Sequence, residues 1–376
     1  MPVINAKALV ANRVKAIRDY HQSCGIKRAE LDVSGGIDSA VMAGLLVLAL
    51  GAENCTFAHL GIHSNPVQTD RAERLIAGLG AKLAILDVTE EYTQIVNKIQ
   101  AALLAAGYDI FEIEKRIAKD PTILGSIRST LRAPLGRAFN RITGGGIRHG
   151  TGNECEDRWV RFFQKGGDGE VDTNPIAMLS KAEVYQSAYE LATGGYFDKA
   201  TDLGLITRVD CNVEVRKAFF DTIGAIPSAD LWGNGDKHND ESEIRNWLGA
   251  DFTYGRLDVA TGKVVSIGTI ERVSRFLDET FATGPGGDRV PYESLLFDGV
   301  EVNWQFITDR AVTSLSFGGS NLTPDQIEAL LRGAHKAERQ TRHKMNPNCP
   351  QLGDRQELLI KGILSDNFAD YGIPAK

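Results

Sequence analysis

The residues best placed to do chemistry are Ser34-Gly35-Gly36-Ile37-Asp38-Ser39. Gly35 and Gly36 lack β-carbons, so their backbone N–H groups can approach a ligand closely. They stand between a short β-like run and a long apolar helical run, and a helix start adds its own positive end. Ser34 and Ser39 offer hydroxyls to phosphate oxygens. Asp38 would repel a bare phosphate, so its place here calls for a cation between the two. Hard oxygen ligands of this kind suit Mg2+. The stretch therefore reads as a cradle for a pyrophosphate and a magnesium ion. It is not a Walker loop, because no Gly-Lys-Ser/Thr follows, and it is not a Gly-x-Gly-x-x-Gly dinucleotide loop.

A second chemistry-bearing block is GTGNECEDRWVRFFQKGGDGEVDTNPIAMLSKAEVYQSA, residues 150–188. Within it Ser180 and Glu183 form a capping-box pattern that opens a helix. Lys181 would then sit in the first turn, where a cation opposes the helix dipole unless an anion is close by.

The elements that must position these groups alternate. Residues 29–33 read as a strand, 38–50 as a helix, 55–62 as a strand, 67–79 as a helix and 82–88 as a strand. That rhythm predicts an α/β fold with a parallel sheet covered by helices. Ligands of such sheets bind beyond the carboxyl ends of the strands, where Ser34–Ser39 falls. Residues 90–119 carry helical periodicity, 144–153 suggest another strand-to-loop passage, and Thr323, Pro324 and Gln326 open a further helix. Val3, Leu9, Val10, Val14 and Ile17 trace a helical stripe ahead of the first strand. Glu30 and Asp32 are unusual in that strand, since buried parallel strands are apolar throughout. Residues 255–322 are mixed short runs with local β character.

The 376 residues are 43% hydrophobic and 24% charged, as in a globular protein, and the net charge of −7 argues against a general nucleic-acid binder. Five cysteines at 24, 55, 155, 211 and 349 include no Cys-x-x-Cys pair, which speaks against a disulfide framework or a structural zinc site. A reducing, cytoplasmic setting is the expectation. The longest apolar run, Ala40 to Ala52, is too short to span a bilayer.

The glycine loop resembles that of the N-type ATP pyrophosphatases, a group that includes NAD synthetase, GMP synthetase and asparagine synthetase. Block 150–188, together with IPSADLWGNGDKHNDESEI (226–244) and RHKMNP (342–347), resembles the ammonia-dependent NAD synthetases within it. The resemblance implies a Rossmann-like parallel sheet with helices on both faces, of the adenine nucleotide alpha hydrolase-like type, and an added mixed region near the C-terminus. The activity it implies is amidation of deamido-NAD with ammonia, driven by ATP through an acyl adenylate. By resemblance Asp38 and Glu156 are magnesium ligands, with Glu154 competing for the second place. Ser34, Gly35, Gly36, Ile37, Asp38, Ser39, Thr151, Lys181 and Ser228 would hold ATP. Arg132, Lys165, Asp172, His343 and Lys344 would bind deamido-NAD, the last two reaching in from the partner of a homodimer. Asp168, in a mobile Gly-Asp-Gly loop, would close over the reaction and orient ammonia; Asp38, Lys181 and Asp168 are thus the catalytic candidates.

Two departures stand out. Pro134 occupies the place of the family's second arginine, and Glu170 follows Gly-Asp-Gly in place of glycine. They keep two alternatives open: adenylation of a different acceptor, or a nucleotide-binding homologue without catalysis. The expected division is a synthetase-like domain at 1–255, an accessory region at 256–334, and a tail at 335–376 returning to the site. About 28 residues precede the first strand, too few for a glutamine-hydrolysing domain, so free ammonia, or glutamine through a separate protein, is the expected nitrogen source.

Overall fold

The computed structural model describes residues 5–120, 122–197, 209–228, 239–281, 302–341, 344 and 355–366. Helix α1 (Ala6–Cys24) begins at Asn5, whose side chain accepts from the Ala8 N–H, and ends at a left-handed Gly25. Its stripe of Leu9, Val10, Val14 and Ile17 is buried, as the spacing predicts; Val3 lies outside the described residues. Strands β1 (Ala29–Asp32), β2 (Cys55–Gly61), β3 (Leu83–Asp87) and β4 (Ile147–His149) form one parallel sheet in the order β3-β2-β1-β4. Helices α2 (Ile37–Leu50) and α3 (Pro66–Gly78) connect the first three strands. The helical stretch at 90–119 is two helices, α4 (Thr89–Ala105) and α5 (Ile110–Lys119), and α6 (Thr122–Ile142) leads into β4.

Helix α2 is apolar around most of its circumference because it packs against α1, β1, α8 (Lys181–Thr193) and α9 (Val209–Ile223) at once. Leu45 and Met42 are fully buried there. Cutting such a side chain to alanine costs about 2–5 kcal/mol.

The polar residues of β1 have a cause that lies across the sheet. Parallel pairing sets Glu30 opposite Arg148 of β4. The Arg148 guanidinium donates to both Glu30 carboxylate oxygens at 2.8 Å and also pairs with Asp32. Room for it comes from Gly136 of α6, where a β-carbon would lie 1.8 Å from Arg148 Nη1.

A second apolar cluster joins Cys155, Trp159 and Val160 to α10 (Asp240–Leu248), Phe252, Tyr254, α11 (Thr269–Phe281) and helix Pro324–Thr341. The boundary expected at 255 therefore falls inside a shared core. The β character expected beyond it is one short antiparallel pair, β5 (Arg256–Leu257) with β6 (Val264–Ser266). Thr323 and Gln326 close the predicted capping box: each N–H donates to the other's side chain, at 2.8 and 3.3 Å. No described helix is long and apolar enough to cross a membrane.

Candidate active site

The loop after β1 is shaped by its glycines and serines. Gly35 has φ +81°, and a β-carbon there would lie 2.1 Å from the Gln68 carbonyl oxygen. Gly36 caps α2 without a side-chain bond, which leaves first-turn N–H groups for a ligand. Ser34 Oγ accepts from the Gly36 N–H at 3.2 Å. Ser39, expected to face phosphate, is buried: its hydroxyl donates to the Gly36 carbonyl at 3.0 Å and accepts from the Ser34 N–H. It braces the loop from behind.

Across the cavity, α7 (Glu154–Asp157) and the start of α8 bring three charges together. The Lys181 ammonium donates to Asp38 Oδ2 at 2.6 Å and to Glu156 Oε1 at 2.7 Å. Burial opposes the Lys181 charge, but Asp38 and Glu156 override it and hold the pKa well above the usual lysine value. Burial, with the Asp38 charge adding and Lys181 opposing, pushes the Glu156 carboxyl up to about 7. Asn153 is fully buried between them; its side chain caps α7 at the Glu156 N–H and donates to Asp38 at 2.9 Å. The ring of Tyr254 lies 5.0 Å from the Lys181 nitrogen, and its hydroxyl donates to Glu156 at 3.4 Å. The predicted capping box at Ser180 and Glu183 is present, and Glu271 of α11 adds a carboxylate that accepts from the Ala182 N–H at 2.8 Å.

Asp38 and Glu156 thus point hard oxygen donors at one position, a donor set that fits Mg2+ once phosphate or water oxygens complete it. Among the described residues no group of three or more His, Cys, Asp or Glu side chains forms a metal site by itself. Glu154 faces the other way. Its carboxylate is buried against Arg275 at 2.8 Å and Arg158 at 2.9 Å. Burial opposes its ionisation, but Arg275, Arg355 and Arg158 bring its pKa down to about 2.

The cavity has a volume of about 220 Å³. Ser34, Gly36, Ile37, Asp38, Thr151, Glu156, Lys181, Ser228, Arg132 and Asp168 all line it. Arg132, on α6, also donates from Nε to the Leu60 carbonyl at 3.1 Å. Asp168 was expected in a mobile loop. Here it accepts from Ser129 Oγ and the Gln164 N–H, both at 2.9 Å, so the loop is docked on α6. Among the described residues, Lys165, Asp172 and Lys344 stand apart from the cavity wall. Asp172 accepts from Arg137 at 2.6 Å and from the Arg148 N–H at 2.8 Å, and Lys165 is exposed. Lys344 donates to the Arg161 and Phe163 carbonyls of its own chain. His343 lies outside the described residues.

Three further residues matter at the site: His59 in the cavity wall, and Asn153 and Tyr254 against the charged groups behind it. His59 donates from Nδ1 to the Val33 carbonyl at 2.8 Å and lines the cavity, as do Arg148 and Asp240. Asn153 did carry a signal, since Asn before a run of acids is an N-cap pattern. Tyr254 carried none.

The profile of the NAD synthase family matches residues 9–196. An NH3-dependent NAD+ synthetase from Methanococcoides burtonii is 30% identical over 54% of this chain and 72% of its own length. One from Halobacterium salinarum is 32% identical over 46% of this chain and 59% of its own length. The chain thus spans between about three-fifths and three-quarters of these relatives. In fold it is similar to the NMN synthetase of Francisella tularensis, at a TM-score of 0.54 and 19% identity, covering 91% of this chain and 96% of that one. With the glycine loop and its facing charges inside the matched half, the chain belongs to the NAD synthase family, whose NAD synthetases are ligases that form a carbon–nitrogen bond.

Proposed function

We propose that the protein joins ammonia to the nicotinate carboxyl of deamido-NAD at the expense of ATP. The observation that carries this reading is the convergence of Asp38, Glu156 and Lys181 at the mouth of a glycine loop that opens a helix. A carboxylate oxygen does not leave unaided. Its attack on the α-phosphorus forms an O–P bond, breaks the bond to the β-phosphate side and releases pyrophosphate. Ammonia then attacks the carbonyl carbon of the acyl adenylate and loses a proton, and AMP leaves with the bonding electron pair.

In this scheme the first-turn N–H groups of α2 and the Ser34 hydroxyl hold the departing pyrophosphate. Lys181 neutralises charge as it builds there, pre-positioned by the buried walls around it. Asp38 and Glu156 would hold Mg2+, which when bound supplies Lewis-acid neutralisation of the polyphosphate. In this reading Thr151 and Ser228, which line the cavity, contact ATP, and Arg132 contacts the acceptor. Asp168 would orient ammonia, its carboxylate held by Ser129 and the Gln164 N–H.

A homodimer belongs to this reading. Helix α4 buries only Tyr92 and α5 buries nothing, while Ile95, Ile99, Leu104 and Phe111 lie exposed. Amphipathic helices of this kind need an apolar partner, and a second copy supplies one.

One observation favours a smaller acceptor, nicotinate mononucleotide. Of the residues expected to grip the dinucleotide, Arg132 alone among the described ones lines the cavity, and Asp172 is already bound to Arg137 and Arg148. The test incubates the protein with ATP, Mg2+ and ammonium chloride, with either acceptor, and follows pyrophosphate and amide together. Equal yields of pyrophosphate and NAD from deamido-NAD are expected. Amide from the mononucleotide alone would move the assignment there, and absence of pyrophosphate with both acceptors would overturn it.

A further inference from the structure

Tyr254 belongs to no part of the glycine loop or of block 150–188, yet it touches two of the three charges at the site. Its side chain is among the largest that are fully buried. The ring sits 5.0 Å from the Lys181 nitrogen, and the hydroxyl donates to the same Glu156 oxygen that Lys181 binds. The backbone around it is held on several sides. The Tyr254 N–H donates to Glu241 at 2.7 Å, and Gly268 packs so closely that a β-carbon there would lie 2.4 Å from the Tyr254 carbonyl carbon. Lys181, by contrast, ends in a long side chain whose charge can move.

We infer that Tyr254 is a positioning residue for Lys181: it seats the ammonium when Asp38 and Glu156 give it up to a metal–nucleotide complex. This rests on the function proposed above. In the structure one ammonium satisfies both carboxylates, at 2.6 and 2.7 Å. A divalent ion held by the same two groups would take the same oxygens, and the ammonium must then move toward phosphate. Lys181 has 2% of its side chain exposed, so it cannot retreat into water. The face of an aromatic ring attracts a desolvated cation without competing for the metal's oxygens.

The experiment compares Tyr254→Phe, which keeps the ring, with Tyr254→Leu, which removes it. Should the leucine variant not fold, Tyr254→Met, closer in volume, carries the same comparison. Uptake of Mn2+ in the presence of a non-hydrolysable ATP analogue is read by electron paramagnetic resonance, beside kcat and the KM for ATP. The phenylalanine variant is expected within about threefold of wild type in every measurement. The leucine variant is expected to lose about tenfold in kcat, with Mn2+–nucleotide uptake weakened several-fold and KM for ATP raised to a similar extent. Equal behaviour of the two variants, both impaired or both unimpaired, overturns the inference. If wild type forms no amide from either acceptor, the functional reading falls, while Mn2+–nucleotide uptake still decides the role of Tyr254.

Discussion

At the scale of single residues, Lys181 shows how burial changes a forecast. As a first-turn lysine it reads as a residue whose loss slows turnover and spares the fold. Its ammonium instead lies buried between two carboxylates. Lys181→Met should slow pyrophosphate release about a hundredfold, the effect of losing one preorganised charge worth about 3 kcal/mol. It should also destabilise the apo protein by up to about 3–5 kcal/mol in urea unfolding, because two carboxylates lose their counter-ion. Glu271 makes a second forecast. Burial pushes its carboxyl up to about 7, with Glu183 adding to the rise and the Gly268 and Ala182 N–H groups and Arg275 opposing it. A raised carboxyl pKa means that the folded state holds its proton more tightly than the unfolded chain. Its contribution is therefore present below the unfolded pKa and lost as pH climbs from about 4.5 to about 7. Glu271→Gln should flatten the unfolding free energy across that window, measured by denaturant titration at a series of pH values.

At the scale of elements, β1 and β4 explain one another. Strand β1 carries acids because β4 supplies an arginine in register, and β4 is short and polar because it delivers that arginine. Arg148→Met should cost about 3–5 kcal/mol, since it leaves Glu30 buried without its partner. Adding Glu30→Leu should recover part of that loss, because removing both members spares the cost of an unpaired buried charge. An equal loss in single and double variants would show that guanidinium packing, and not charge, is what the strands require. Helix α7 divides its work in the same way: four residues send Glu156 to the cavity and Glu154 into a buried arginine cluster. Sequence spacing alone left the two glutamates as competitors, because a single turn of helix does not say which side meets the site.

At the scale of the whole molecule, two apolar clusters flank the group formed by Asp38, Glu156 and Lys181. Residues 256–278, the first part of the stretch 256–334 expected as an accessory region, pack directly behind α7 and α8. The exposed faces of α4 and α5 remain, and they lead to a forecast about assembly. Ile99→Glu combined with Phe111→Glu should convert a dimer to a monomer in multi-angle light scattering, with little change in thermal midpoint of the monomer fold. An unchanged mass would place the interface elsewhere.

The amino-acid sequence by itself determined the strand–helix alternation through residue 88, the glycine loop and both capping boxes, while Lys181 and Glu156 came as candidates through a family resemblance. These are local signals: each is a pattern over a few residues, governed by backbone conformation and hydrogen bonds between near neighbours. Only the tertiary structure decided that Arg148 answers Glu30 from 118 residues away, that Tyr254 reaches Glu156 across 98, and that Ser39 turns inward. Such contacts depend on which faces the folded chain brings together, and a buried charge reveals its partner only when water has been excluded from around both.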